Sequence, residues 1–187
     1  RDSGSMKNMT TPMINGTAYP YLEVDPKAYR FRILNAANDR FFNLQLYVAD
    51  DTYTEGMAGY RSEVRMVPVS PDVHLPAHRE QIMPDPLTKG PDWIQIGTEG
   101  GFLPAPAVIP SQPISWNLVG TAFNFGNIDA HSLLLGTAER ADVIVDFSQY
   151  AGQTLILYND APAPFPASDT RYDYYTNNED LTAEGGA

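Results

Sequence analysis

The 187-residue chain contains no cysteine. Disulfide frameworks, thiolate-bound metals and thiol nucleophiles are therefore closed to it, although cysteine-free proteins occur in oxidising and reducing compartments alike. Positive charge is scarce: 12 Lys and Arg stand against 23 Asp and Glu, a formal net charge of −11. A nucleic-acid backbone or an anionic membrane calls for clustered basic side chains, so neither is expected as a partner. Long apolar runs are missing as well. None approaches the roughly 20 residues of a membrane-spanning helix, and the opening RDSGSMKNMT has no apolar signal-peptide core. A mature or excised segment would begin the same way. No P-loop or G-x-S-x-G elbow occurs, and Gly97-Thr98-Glu99-Gly100-Gly101 lacks the spacing of a dinucleotide fingerprint.

What is present points to strands. Hydrophobic residues make up 43% of the chain, enough to bury a core in one domain. Sixteen prolines and fourteen glycines punctuate stretches of Tyr, Phe, Val, Ile and Thr, the pattern of many short strands and turns. In YRFRILNAANDRFFNLQLY (29–47), Tyr29, Phe31 and Ile33 alternate with Arg30, Arg32 and Leu34. After the polar stretch 35–39, Phe42, Leu44 and Leu46 alternate with Asn43 and Gln45, which predicts a half-buried β-hairpin. Further strands are expected at 63–69, 93–96, 114–118, 132–135, 142–147 and 154–158. Residues 50–90 otherwise show little periodicity, a length of irregular chain that suggests an insertion or lid. The tail beyond Asn159 is rich in proline and then acidic, like a linker. The fold class is all-β, a Greek-key sandwich or barrel.

Candidate chemical groups are few. His74 and His78 are four apart, but Pro76 between them argues against a helical metal face. Asp72, Glu80 and Asp85 could add oxygen ligands, yet solvated loop histidines account for the pattern, and His131 reads as a turn residue. Glu99 with a second acid would make a glycosidase-like pair, a cheap proposal among so many carboxylates. Arg140, entering the strand at 142–147, is expected to meet a carboxylate or loop carbonyls through its planar fork. Tyr172, Tyr174 and Tyr175 suit packing of the tail better than ligand binding. Asn8-Met9-Thr10 and Asn15-Gly16-Thr17 fit the glycosylation sequon.

Four phrases in order carry a resemblance. They are Ile14-Asn15-Gly16 with Tyr19-Pro20-Tyr21-Leu22-Glu23-Val24, then residues 29–36, residues 95–103 and residues 138–147. Together they resemble the middle cupredoxin domain of three-domain multicopper oxidases, in the branch of bacterial spore-coat laccases and bilirubin-oxidase-like enzymes. The resemblance implies a cupredoxin-like Greek-key fold at 15–166 with an insertion at 50–90. Residues 1–14 would be a linker from a preceding domain, and 167–187 a linker toward a following one. The implied parent is extracytoplasmic (secreted, periplasmic or in a spore coat). It oxidises phenols, other organics or metal ions and reduces oxygen to water with four copper ions. Those coppers would sit on flanking cupredoxin domains, because this chain has neither cysteine nor a His-x-His pair; no cofactor, metal ligand or catalytic residue is expected here. By position, Pro91, Asp92 and Ile94, with Asp160, Ala161, Pro162, Ala163 and Pro164, would line the substrate entrance, where stiff proline loops suit a pocket wall. The outer face bearing Arg30 and Arg32 would pack on a neighbouring domain and find its partners there. A stand-alone β-sandwich module binding carbohydrate or protein is the competing reading.

Overall fold

The computed structural model describes residues 13–37, 40–52, 63–75 and 81–161. It opens with a miniature hairpin, β1 (Met13–Ile14) and β2 (Thr17–Ala18). Asn15 and Gly16 turn it with φ of 50° and 81°, the doubly positive geometry that Asn-Gly adopts at little steric cost. β3 (Ala28–Leu34) and β4 (Phe42–Val48) follow, then a ribbon of β5 (Met66–Pro68) and β6 (Ile82–Pro84). A 3-10 turn, Pro86–Thr88, leads to β7 (Trp93–Thr98) and β8 (Gly101–Ile109). The remaining strands are β9 (Ser115–Trp116), β10 (Ile128–Ala130), β11 (Leu133–Leu135), β12 (Arg140–Asp146) and β13 (Leu155–Asn159). No α-helix occurs among the described residues.

Two antiparallel sheets form the body, one in the order β3-β12-β7-β8 and the other β11-β4-β13. Alternation along β12 puts Ala141, Val143 and Val145 on one face, with Phe31 and Ile33 of β3 packed beside them. Leu44 and Leu46 of β4 meet them from the other sheet, together with Leu133 and Leu135 of β11. Trp93 fills the layer between, and its indole Nε1 donates to the Leu44 carbonyl at 2.9 Å. Burying this apolar surface, at about 25 cal/mol per Å², is what holds one sheet on the other. The result is the all-β, cupredoxin-like sandwich.

Three expectations about the strands are corrected. First, residues 29–47 do not form a hairpin. β3 pairs with β12, whereas β4 pairs with β11 and β13, so neighbouring strands in sequence lie in different sheets. The connection carries the chain across the sandwich, and Asn35 fixes the crossing. Its buried amide donates to the carbonyls of Arg40 (2.7 Å) and Leu135 (3.1 Å), and its Oδ1 accepts from the Ala37 amide at 3.0 Å. Second, β4 is not half-buried: residues 43–47 are all inside. A second apolar cluster, Leu75, Ile114 and Trp116 with Val69, Val73, Ile128 and Leu134, lies apart from the main core. Leu134 alternates with Leu133 and Leu135, so it faces away from that core. Third, the nine-residue β8 was not among the expected strands. Pro104 and Pro106 disguised it, but β8 ends the sheet order, and an edge strand tolerates residues without an N–H.

The described parts of the 50–90 segment are packed against the body. Val64 is buried and bridges to Ala49, Met83 and Leu75 are buried, and the strand expected at 63–69 is the shorter β5. Residues 53–62 and 76–80 lie outside the described residues.

Candidate functional site

The two stretches expected at a substrate entrance both attach to β4. Lys89 bridges to Tyr47, and the Gly90 amide donates to the Leu46 carbonyl at 2.8 Å. A Cβ at Gly90 would stand 3.0 Å from that carbonyl oxygen, so the close approach requires glycine. Beyond it Pro91 is buried, Asp92 is exposed and Ile94 is half-buried. The Tyr150 phenol is raised by burial and, secondarily, by the negative charge of Asp92.

Asp160 and Ala161, at the end of β13, are buried. The Asp160 carboxylate is a hub. Its Oδ1 accepts from Asn43 Nδ2 at 2.7 Å and from Gln45 Nε2 at 2.8 Å, and its Oδ2 accepts from the Ile114 amide at 2.9 Å. The network extends outward from there. Tyr47 donates its hydroxyl to Gln45 Oε1 at 2.8 Å, and the Ser132 amide donates to Asn43 Oδ1 at 2.7 Å. Asp160 keeps 5% of its surface, while Asn43, Gln45 and Tyr47 keep none. Burial, then the nearby charge of Asp160, pushes the Tyr47 phenol well above its ordinary value. A buried carboxylate is tolerated when donors surround it in this way. The structure thus turns Asp160 inward, onto β4. Pro162, Ala163 and Pro164 lie outside the described residues.

The sequence reading assigned Asn43 and Gln45 to a solvated face and so missed them as partners of Asp160. One signal was available: the face Asn43, Gln45, Tyr47 holds amides and a phenol but no charge. A solvated strand face more often carries Lys or Glu, which are seldom fully buried.

On the outer face of the four-stranded sheet, Arg30 grips Asp142 with a two-pronged contact, Nε to Oδ1 at 2.8 Å and Nη2 to Oδ2 at 2.5 Å. The Phe102 ring centre lies 5.7 Å from the same guanidinium. The Arg30 contact, ahead of the Arg32 charge, holds the Asp142 carboxyl below its usual range. Arg30 was expected to find its partner on a neighbouring domain, and it finds one on β12 of its own chain. Beside this pair is a shallow cleft of about 230 Å³ lined by Arg32, Leu34, Thr98, Arg140 and Asp142. Arg140 donates to the Ala138 carbonyl at 3.1 Å, one of the partners its sequence context suggests. Its backbone amide donates to Glu99 Oε1, a contact that lowers the Glu99 carboxyl. Glu99 therefore serves as an acceptor at a strand entrance.

The other candidates are dispersed. His74 is exposed and donates its backbone N–H to Ser115 Oγ, while the His131 Nδ1 lies 2.7 Å from the Ser132 carbonyl. Asp85 caps the 3-10 turn through the Leu87 amide at 2.9 Å. His78, Glu80 and the tyrosines at 172, 174 and 175 lie outside the described residues. No group of three or more His, Cys, Asp or Glu able to hold a metal forms among the described residues. A blue-copper centre takes two imidazoles and a thiolate, and the residues present do not fit one, since the sequence has no thiol.

No family profile matches the chain. Individual proteins do. A laccase of Bacillus subtilis (strain 168) is 30% identical over 151 residues, covering 81% of this chain but 17% of its own length. The multicopper oxidase LPR1 of Arabidopsis thaliana is 26% identical over 157 residues, 84% of this chain and 16% of its own. A bilirubin oxidase of Albifimbria verrucaria is 29% identical over 146 residues, 78% of this chain and 16% of its own. The chain corresponds to a single domain of a multicopper oxidase. It spans less than a fifth of the length of these relatives. In this multicopper-oxidase domain, three of the four phrases behind the resemblance fall on one sheet. Residues 29–36 contain most of β3 and the crossing Asn35, residues 95–103 span the turn from β7 to β8, and residues 138–147 are β12 with its flanks.

Proposed function

We propose that this chain is the copper-free middle domain of a three-domain multicopper oxidase, bridging two copper-bearing domains and forming one wall of the substrate entrance. The observation that carries the reading is the coverage: about four-fifths of the chain aligns with oxidases of which it accounts for less than a fifth. Copper held elsewhere in the parent would supply the electron transfer from donor to oxygen. The residues of this chain contribute position. Gly90 lets residues 89–93 lie directly on β4, and Asp160 holds β13 and the 111–114 segment to the same strand. A wall with Pro91, Asp92 and Ile94 on one side and Asp160 and Ala161 on the other would be held at a fixed spacing by β4. The electron donor is a small organic molecule or a metal ion, and the parent is extracytoplasmic.

The test is to read the coding sequence on either side of these 187 residues and to assay the full-length product. The reading requires His-x-His and His-Cys-His motifs in the flanks, with copper and oxygen consumption in the purified protein. A stop codon soon after residue 187 and no copper-ligand motif upstream would instead favour a stand-alone carbohydrate- or protein-binding sandwich.

A further inference from the structure

The loop between β9 and β10 is uncharged and exposes several large apolar side chains. Residues 117–127 read NLVGTAFNFGN, eleven positions without a charge in a protein of net charge −11. Phe123 is fully exposed, Val119 and Phe125 are more than half exposed, and Leu118 is more than one-third exposed. Exposed apolar residues are ordinary when single, but clustered ones mark interaction surfaces.

Hydrogen bonds shape this loop throughout. The Asn117 and Asn127 backbones close its base at 2.8 Å, and the Gly126 amide donates to the Asn117 carbonyl at 2.7 Å. Asn117 braces the interior: its Nδ2 donates to Asn124 Oδ1 at 2.8 Å, and its Oδ1 accepts from the Val119 amide at 3.0 Å. Successive turns follow, with Ala122 N donating to Val119 O, Phe125 N to Ala122 O and Asn127 N to Asn124 O. Below, Trp116 is completely buried and Ile128 packs against it in the second apolar cluster. The two phenyl rings are therefore presented on an organised base, so that seating them in a partner costs little further ordering.

We infer that the Phe123–Phe125 loop is a docking knob that inserts into an apolar cleft on the part of the parent polypeptide outside this chain. The inference rests on the multidomain reading above. The alignments place more than four-fifths of each relative outside the matched region, so a covalently linked partner is at hand. The absence of charge on the loop argues for an apolar cleft without ionic pairing, and it argues against anionic lipid, which attracts basic segments. Buried aromatic side chains are the residues that most often dominate such contacts.

Hydroxyl-radical footprinting of the full-length gene product beside the 187-residue chain tests this. Phe123 and Phe125 should be oxidised readily in the short chain and several-fold less in the full-length protein. The double substitution Phe123→Ser, Phe125→Ser should lower the melting temperature of the full-length protein and leave that of the short chain unchanged. Equal labelling of both proteins overturns the inference. Protection in the short chain that grows with its concentration also overturns it, by making a second copy the occupant. A gene lacking flanking copper-ligand motifs removes the multidomain reading and this inference together, and sequencing reveals that before any labelling. The two failures are thus separable.

Discussion

The polar faces of β3 and β4 invite comparison because the sequence writes them alike. Arg30 and Arg32 alternate with Phe31 and Ile33, and Asn43 and Gln45 alternate with Leu44 and Leu46. In the structure their fates are opposite. The β3 face is solvated and carries an ion pair held in water, whereas the β4 face is sealed around one carboxylate with every partner buried. Period-two alternation reports which side chains share a face. Whether that face is wet depends on segments far along the chain: here Ile114 and Asp160.

Four substitutions would break or sharpen the contrast. Asp160→Ala should be the most damaging, because it removes the shorter of two acceptors from Asn43 Nδ2 and Gln45 Nε2 and takes away the acceptor of the Ile114 amide. A loss of about 3–5 kcal/mol in urea unfolding is expected, since each buried donor deprived of its best acceptor costs about 1–3 kcal/mol. An unchanged midpoint would mean that water reaches the site and that the two faces differ less than the structure indicates. Gly90→Ala comes next, at about 1–3 kcal/mol, since the new methyl group presses on the Leu46 carbonyl and backbone must shift.

Tyr47→Phe should cost about 1 kcal/mol through the lost hydroxyl contact with Gln45. It should also change the alkaline response. The folded phenol titrates above the unfolded value of about 10, so the unfolded chain loses its proton first and stability falls as pH rises past that value. The Phe variant should lose less stability there; an identical alkaline melting profile would remove Tyr47 from the network. Arg30→Ala should have the smallest effect, because an exposed pair in high dielectric adds little and salt screens it. The Asp142 carboxyl titrates below its unfolded value of about 4. Its contribution is therefore complete above that pH and fades as pH falls through the lower folded value. A loss for Arg30→Ala rivalling that of Asp160→Ala would erase the contrast.

The sequence made the all-β class legible through the alternation at 29–34 and 42–47 and the strand expected at 142–147, and strands appear at those places. It also aimed Tyr29, Phe31 and Ile33 at the core, and Phe31 and Ile33 pack against it. Pairing was not legible. Nothing local in Asn35 shows that it supports a crossing, since two of its three side-chain contacts exist only once the Leu135 and Arg40 carbonyls have arrived. β8 was hidden because its prolines are breakers by local rule and acceptable only at an edge, a position defined by the whole sheet. The inward turn of Asp160 was equally out of reach, for a carboxylate among prolines reads as a solvated loop until its donors are known. Arg30 shows the same limit from the other side: its partner lies 112 residues away.

That separation bears on how the chain acquires its shape. β3 and β4 are the first long strands, yet neither can pair with the other, and their principal partners β12 and β13 are among the last residues described. Closing such long loops costs chain entropy before any contact rewards it, which places this topology among slow folders. During synthesis the leading half would wait, its strand edges open, until residues 140–159 had been made. A chain truncated before β12 should therefore aggregate and not survive as a smaller folded unit.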